Sequence, residues 1–382
     1  MAKRLRLIQV VNVRWYNACA WYGLFLSRLL RDAGHEVLVL GLPDTESFRA
    51  AEALGLSPLG LDLNSANPLR APALLRALRN LVRAFRPHLV NCHRGEGMIL
   101  WGMLKGMRLP FALVRTRGDR RPPRNNPPNR LLHNRCADAV IVTNSRALLA
   151  CTQRLGTPAK KIHLIVGGVD REQFRFSLQG RREMRTAWGF AEDHTVIGLL
   201  GRFDSVKGQE EAIRAVALLR QGEDGAPWRR RLRLLLAGFP AGLSRERVTG
   251  WLVGTGLAEA AVITGKCSDV PALISAMDIG LIASKGSEAI ARAALEIMSC
   301  HRPLLGTDVG VMPDLLPVEA LFPPDNVKAM AGLLEKAVCD GYWLQRLQEE
   351  LGRRILSFSG EEFLRRTLVA YNQALHSAGI SL

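Results

Sequence analysis

Gly201-Arg202-Phe203-Asp204-Ser205-Val206-Lys207-Gly208 follows the apolar run Val196-Ile197-Gly198-Leu199-Leu200 and opens a segment with helical periodicity. A strand that passes through a glycine-bounded turn into a helix places that turn at the C-terminal edge of a parallel sheet. Free backbone N–H groups at the helix start then point into a cleft, together with the cations Arg202 and Lys207. A second stretch repeats the arrangement. The run Asp278-Ile279-Gly280-Leu281-Ile282-Ala283 leads to Glu288, at an expected loop-to-helix junction, and Glu296 follows eight residues later. At ~100° per residue, eight positions set two helical carboxylates about 80° apart, on one side of the helix. A guanidinium, an ammonium and two spaced carboxylates suit a ligand with a diphosphate at one end and hydroxyl-rich sugars around it.

Outward from these stretches, strand-like and helix-like segments alternate along the whole chain. In the first half, strands are expected at 5–13, 36–42, 88–92, 111–116 and 139–143, with helices at 18–33, stopped by Gly34, and 71–85, ended before Pro87. In the second half they are expected at 195–200, 232–237, 261–264, 279–283 and 303–306. Such alternation implies an α/β protein with parallel, doubly wound sheets. With 382 residues the chain is too long for one ordinary core. Two Rossmann-like domains are expected, 1–168 and 169–360. The segment 117–130, rich in Arg, Pro and Asn, reads as a long basic loop. No short-period repeat is present.

The net charge is +17, and it is unevenly placed. Residues 1–168 hold 26 Lys and Arg against 9 Asp and Glu, whereas residues 169–382 hold 26 of each. The excess points to a polyanionic surface or an anionic acceptor met by the first half. Arg76, Arg79, Arg83 and Arg86, spaced 3, 4 and 3, share one face of the helix expected from Ala71. They read either as a solvated face or as a patch for anionic lipid headgroups. The aromatic residues Trp15, Tyr16, Trp21, Tyr22 and Phe25 read either as core or as an apolar wall. No uncharged apolar run reaches the ~18–20 residues of a membrane span. The seven cysteines are scattered, with no Cys-x-x-Cys pair. With no apolar signal segment at the start, these features lead to an expectation of a reduced, cytoplasmic protein.

The Gly-Arg…Lys-Gly element and the Glu-x7-Glu element resemble those of the retaining glycosyltransferases of family 4, which have the GT-B fold. Ile165-Val166-Gly167-Gly168-Val169-Asp170 with Phe174, Leu235-Leu236-Ala237-Gly238 and Arg302-Pro303-Leu304-Leu305-Gly306-Thr307-Asp308-Val309-Gly310 extend the likeness over most of the chain. The resemblance implies two Rossmann-like domains facing across a cleft: an N-terminal acceptor domain at 1–168, and a donor domain at 169–360. A final helix at 361–377 would pack back on the first domain. It implies net retention of anomeric configuration by front-face displacement, with no cofactor and no metal. The absence of an Asp-x-Asp and of a His/Cys ligand cluster agrees. Arg202 and Lys207 would stabilise the leaving diphosphate, and Glu288 would meet the donor sugar's hydroxyls as the third catalytic residue. The donor site would comprise Gly201, Arg202, Lys207, Lys266, Ser287, Glu288, Ala289, Ile290 and Glu296, with Glu296 on the ribose. Lys266 reads equally as an exposed lysine after a strand.

The first half departs from the family. In place of a Gly-Gly turn after the first strand stands Asn12-Val13-Arg14-Trp15-Tyr16-Asn17, and in place of a His after the strand at 111–116 stands Arg117-Gly118-Asp119. An arginine is no general base near neutral pH but binds phosphate or carboxylate. Either Arg117 positions an anionic acceptor, or Asp119 takes the polar role, or activity is altered. The candidate acceptor residues are Arg14, Asn17, His93, Arg117 and Asp119, and His93 reads equally as a structural histidine. The expected function is transfer of a sugar from a nucleotide-diphosphate sugar to a lipid-linked saccharide or lipopolysaccharide-type acceptor. It would operate in bacterial envelope synthesis, peripherally on the cytoplasmic face of the inner membrane. Alternatives are a non-catalytic sugar-nucleotide-binding protein and a basic nucleic-acid-binding protein. The latter lacks any helix-turn-helix, zinc or RNA-binding signature.

Overall fold

Short runs of Val, Ile and Leu without polar alternation form strands buried on both faces, as parallel sheets covered by helices require. The structure, a computed structural model, describes residues 3–381 except Ala66, Glu96, Arg120, Glu223 and Ser287. It divides into two compact units, one of residues 1–168 with 360–382 and one of residues 169–359. The first unit holds β1 (Arg6–Val11), β2 (Glu36–Gly41), β3 (Leu59–Gly60), β4 (Leu89–Cys92), β5 (Ala112–Arg117), β6 (Ala139–Val142) and β7 (Ile162–Leu164), in spatial order β3-β2-β1-β4-β5-β6-β7. The second holds β8 (Thr195–Leu200), β9 (Leu232–Ala237), β10 (Ala261–Ile263), β11 (Ile279–Ile282), β12 (Leu304–Thr307) and β13 (Leu321–Phe322), in order β10-β9-β8-β11-β12-β13. All neighbouring pairs are parallel. In each sheet the strand order reverses beside the first strand, at β1/β4 and at β8/β11. Such reversals open crevices at the strands' C-terminal ends.

Local signals explain most boundaries. The helix Ala18–Asp32 starts where Asn17 Oδ1 accepts from the backbone N–H of Cys19 at 3.0 Å and Ala20 at 3.1 Å, and the chain leaves it through Gly34 at φ 85°. The helix Ala71–Phe85 ends at Arg86, left-handed at φ 48°, before Pro87. The first strand is shorter than the expected 5–13. Asn12 turns away to donate to Leu61 O at 2.6 Å and accept from Leu63 N–H at 3.1 Å, which pins the loop that follows β3. The segment 117–130 is not loop throughout. Arg117 ends β5, and Pro127 and Pro128 open the helix Pro127–Leu131 behind the Asn126 cap. Proline fits there because the first helical N–H groups have no partner to lose. The edge strands β3, β7 and β13 have only two or three residues, too few to show a period.

The helix Gly360–Ser377 closes the first unit. Its Tyr371 hydroxyl accepts from Gln9 Nε2 at 3.0 Å and Asn91 Nδ2 at 2.8 Å. Phe363 packs on Tyr22 with ring centroids 4.7 Å apart. His93 belongs to this interior. Its ring is fully buried, and its Nε2–H donates to Gln9 Oε1 at 2.8 Å. Tyr22 and Gly23 pack against the ring, the surroundings of a structural histidine, which is one of its two sequence readings. Burial pushes its pKa down to about 3, and burial likewise pushes His133 down to about 4.

Both imidazoles are therefore neutral in the folded protein, whereas the unfolded chain protonates them near pH 6.5. Their contribution is complete above pH 6.5 and is lost as pH falls toward 4. At pH 5, protonation favours the unfolded chain by about 2 kcal/mol per histidine. Thermal melts between pH 8 and pH 4.5 should show a falling midpoint, and His93→Gln should flatten the slope. An unchanged slope in that variant would remove His93 from the account.

Candidate functional site

In the second unit the loops after β8 and β11 lie side by side across the reversal of strand order. Phe203 is buried and anchors the first loop, donating its N–H to Phe239 O at 2.7 Å and accepting at its carbonyl from the N–H groups of Ala241, Gly242 and Leu243. Asp204 closes the turn, its carbonyl accepting from Lys207 N–H at 2.8 Å. The chain then enters the helix Gln209–Arg220 through Gly208, at φ 74°. A Cβ on Gly208 would lie 2.0 Å from the carbonyl oxygen of Ala283, at the exit of β11. Only glycine supplies both the left-handed turn and this backbone approach. Lys285 N–H donates to Val206 O at 2.9 Å and ties the loops together.

This contact brings Lys207 to Glu288. The Lys207 ammonium lies 2.5 Å from Glu288 Oε1, and the Ser284 hydroxyl donates to the same oxygen. Glu288 is buried. Its backbone is clamped from β12: Val311 N–H donates to Glu288 O at 2.7 Å, and a Cβ on Gly310 would lie 1.9 Å from that oxygen. Thr307 Oγ1 donates to Ser284 O at 2.7 Å. Arg202 stands at the mouth of the loop, exposed, with Asp204 at 3.0 Å. Among the described residues, Lys207 has one acidic partner, Glu288, and Arg202 has one, Asp204.

The two glutamates do not share a helix face. The helix is Arg292–Ser299, and Ala291 at φ 49° breaks the chain before it, so Glu288, Ala289 and Ile290 precede the helix start. Ile290 is buried, and Ser287 lies outside the described residues. Glu296 sits in the helix, buried, accepting from Arg292 Nε at 2.6 Å. Burial raises its pKa, and Arg292 opposes the shift. Lys266, after β10, is exposed and lies 5.6 Å from the centroid of the Phe239 ring, a cation–π pair at the end of β9. Ser284, Thr307 and Gly310 support Glu288 from three positions that no spacing rule connects, and sequence reasoning missed them.

In the first unit, Asp119 is held by arginines. Its Oδ2 lies 2.5 Å from Arg115 and 3.5 Å from Arg117, and its Oδ1 lies 3.9 Å from Arg94. Burial raises the carboxyl's pKa, but the guanidiniums outweigh it and hold Asp119 below the usual range. Arg115 is almost fully buried and also donates to Cys92 O at 3.2 Å. Arg117 is buried too, donates to Arg121 O at 3.1 Å, and has its pKa lowered, first by burial and then by Arg115. Asp119 is therefore an ion-paired carboxylate, not a free base. Arg115, missed because a guanidinium inside an apolar strand carries no motif, is its nearest partner. Arg14 is exposed, and Asn17 spends its carbonyl on the helix cap. The aromatic cluster divides: Trp15 and Tyr16 are exposed, while Trp21, Tyr22 and Phe25 are core. Among the described residues no group of three or more His, Cys, Asp and Glu could hold a metal ion.

The family "Glycosyl transferases group 1" matches residues 194–340, and "Glycosyltransferase Family 4" matches residues 21–173. The D-inositol 3-phosphate glycosyltransferase of Jonesia denitrificans is 25% identical over 260 residues, 63% of this chain; the match spans 60% of that protein's length. The crystal structure of a glycosyltransferase from Rickettsia africae superposes with a TM-score of 0.85 at 17% identity, over 98% of this chain and 99% of that one. Anabaena HepE in complex with UDP-glucose superposes with a TM-score of 0.80 at 17% identity, over 97% of this chain and all of that one. The two parallel sheets are those of the GT-B fold, and the chain belongs to the group 1, family 4 glycosyltransferases.

Proposed function

We propose that this chain transfers a sugar from a nucleotide-diphosphate sugar, with UDP as the nucleotide, to an anionic, lipid-linked saccharide of lipopolysaccharide type, with net retention of configuration. The observation that carries the reading is the Lys207–Glu288 pair, 2.5 Å apart, joining the exits of β8 and β11 beside the exposed Arg202. Oxygen charge that builds on a leaving diphosphate meets a planar guanidinium, an ammonium and the N-terminus of the helix Gln209–Arg220. Both known donors to Glu288 reach Oε1, which leaves Oε2 for a sugar hydroxyl. Glu296 receives the ribose, and Lys266 with Phe239 lines the base. The UDP-glucose held by HepE supports the choice of nucleotide. The cations supply the charge that a divalent metal supplies elsewhere, so the reading needs no metal and no cofactor.

On the first unit, the surplus of guanidiniums around Asp119 supports an acceptor bearing phosphate or carboxylate. The phosphate in the name of the Jonesia relative's acceptor is in keeping with that chemistry. The charge of the first unit, and the absence among the described residues of a helix long and apolar enough to cross a membrane, are compatible with peripheral work at the cytoplasmic face of a bacterial inner membrane. Non-catalytic binding of a sugar nucleotide is the competing reading. The kinetics below separate the two.

Arg202→Ala and Lys207→Ala should lower kcat by about 10²–10³-fold, because their contacts strengthen as charge develops. Arg202→Lys should restore only part of the loss, since an ammonium has no two-pronged grip. Near-normal kcat in both alanine variants, with folding verified by circular dichroism, would overturn the leaving-group assignment. Glu296→Ala should mainly raise KM, because a ribose contact changes little during reaction. UDP at ~100 times its dissociation constant should stabilise the protein by about 2.7 kcal/mol in thermal melts, and a chelator should change neither melt nor turnover. No shift with UDP, GDP, ADP or CMP would remove the nucleotide site altogether.

A further inference from the structure

The helix Met98–Gly106 is apolar on both faces. Its inner face is ordinary: Met98, Trp101, Gly102 and Leu104 are buried in the core of the first unit. Its outer face should be polar if it met water. Instead Ile99 is 59% exposed, Met103 46% and Met107, just past the helix end, 55%. Spaced four and four, they form one stripe along the helix. The helix has a single charged residue, Lys105, and it is turned inward: its ammonium donates to Asp138 Oδ2 at 2.6 Å and to Phe111 O at 2.9 Å. A recess of about 190 Å³ lined by Leu63, Ser65, Asn67, Leu74, Ile99 and Leu100 borders the start of the stripe.

The neighbouring helix, Ala71–Phe85, packs its leucines on the same core and turns Arg76, Arg79 and Arg83 outward. Between Leu63 and Gly118 the sequence contains ten Lys and Arg and one acidic residue, Glu96. An uncovered methionine–isoleucine stripe beside an array of guanidiniums has the two halves that an interfacial surface needs. One half is apolar side chains long enough to enter the headgroup–acyl boundary, and the other is cations to meet anionic headgroups. Isolated exposed apolar residues are ordinary, but a contiguous stripe marks an interaction surface.

We propose that Ile99, Met103 and Met107 insert into the surface of an anionic bilayer while Arg76, Arg79 and Arg83 engage its headgroups, so that this face docks the first unit on the membrane. This rests on the peripheral reading above and adds a penetrating element to what charge alone would give. Electrostatic attraction is screened by salt, whereas apolar insertion is not, so the two contributions separate experimentally. The full chain is pelleted with vesicles of phosphatidylcholine and phosphatidylglycerol over a range of salt. Wild-type protein should keep part of its binding at 0.5 M salt. Ile99→Asp/Met103→Asp should bind at least 10-fold more weakly and lose the salt-resistant fraction, and the milder Ile99→Ser/Met103→Ser should fall between. Arg76→Glu/Arg79→Glu/Arg83→Glu should lose low-salt binding. Val318→Asp, at an exposed apolar position of the second unit, should change nothing. Circular dichroism confirms the fold of each. If wild-type protein ignores anionic vesicles, the peripheral reading fails and this proposal with it. If wild-type protein binds and the aspartate variant binds equally, insertion is refuted while attraction by charge survives. A wild-type dimer made monomeric by Ile99→Asp/Met103→Asp would assign the stripe to a second copy of the chain and overturn the proposal.

Discussion

The backbone of Gly208 against the carbonyl of Ala283 is the contact on which the candidate donor site depends. A side chain there would sit 2.0 Å from the oxygen, so the loops after β8 and β11 would have to part. Lys207 follows one loop and Glu288 the other, and their ion pair exists because two main chains are allowed to touch. The contact also explains why the site sits where the strand order reverses. Neighbouring strands with consecutive connections would carry their loops away in the same direction, whereas β8 and β11 send theirs to opposite sides and leave the exits facing each other.

Around this contact the protein places charges that satisfy each other without a ligand. Glu288 is buried yet paired with Lys207 and Ser284; Glu296 is buried yet paired with Arg292. Leaving either carboxylate buried and alone would be costly. The first unit solves the mirror-image problem. Two buried guanidiniums, Arg115 and Arg117, share Asp119 and borrow backbone carbonyls for their remaining protons. The second unit thus keeps its acids neutralised by flexible cations, and the first keeps its cations neutralised by one acid.

How much of this was legible in the sequence follows from the length scale of each signal. The strand–turn–helix around Arg202 and Lys207 was legible because glycine, cation and apolar run lie within a dozen residues. The helix Ala71–Phe85 was legible to the residue, since a proline stops it and its period is clear. The start of the helix Arg292–Ser299 was misplaced. Ala291 is left-handed just after Glu288, whose carbonyl is clamped by Val311 from about twenty residues away, and neither feature has a local sequence signal. His93 could not be assigned from sequence because its partner Gln9 lies on another strand. Arg115 was invisible for the same reason: a buried guanidinium is explained only by Asp119 and Cys92, which the sheet brings to it.

The helix Gly360–Ser377 is last in the chain but belongs to the first unit, where Tyr371 completes the bonding of Gln9 and Asn91. The order in which the ribosome delivers the parts is therefore not the order in which they can finish. Residues 169–359 form a contiguous unit and have all their segments before residue 360 emerges. The first seven strands, made earlier, lack the Tyr371 hydroxyl for Gln9 and Asn91 and the Phe363 ring beside Tyr22 and Phe25 until that helix arrives. At 5–20 residues per second, the stretch from 169 to 377 takes roughly 10–40 s to synthesise. During that time the older half of the protein is the less finished one, and the exposed surface that a chaperone would meet belongs to it.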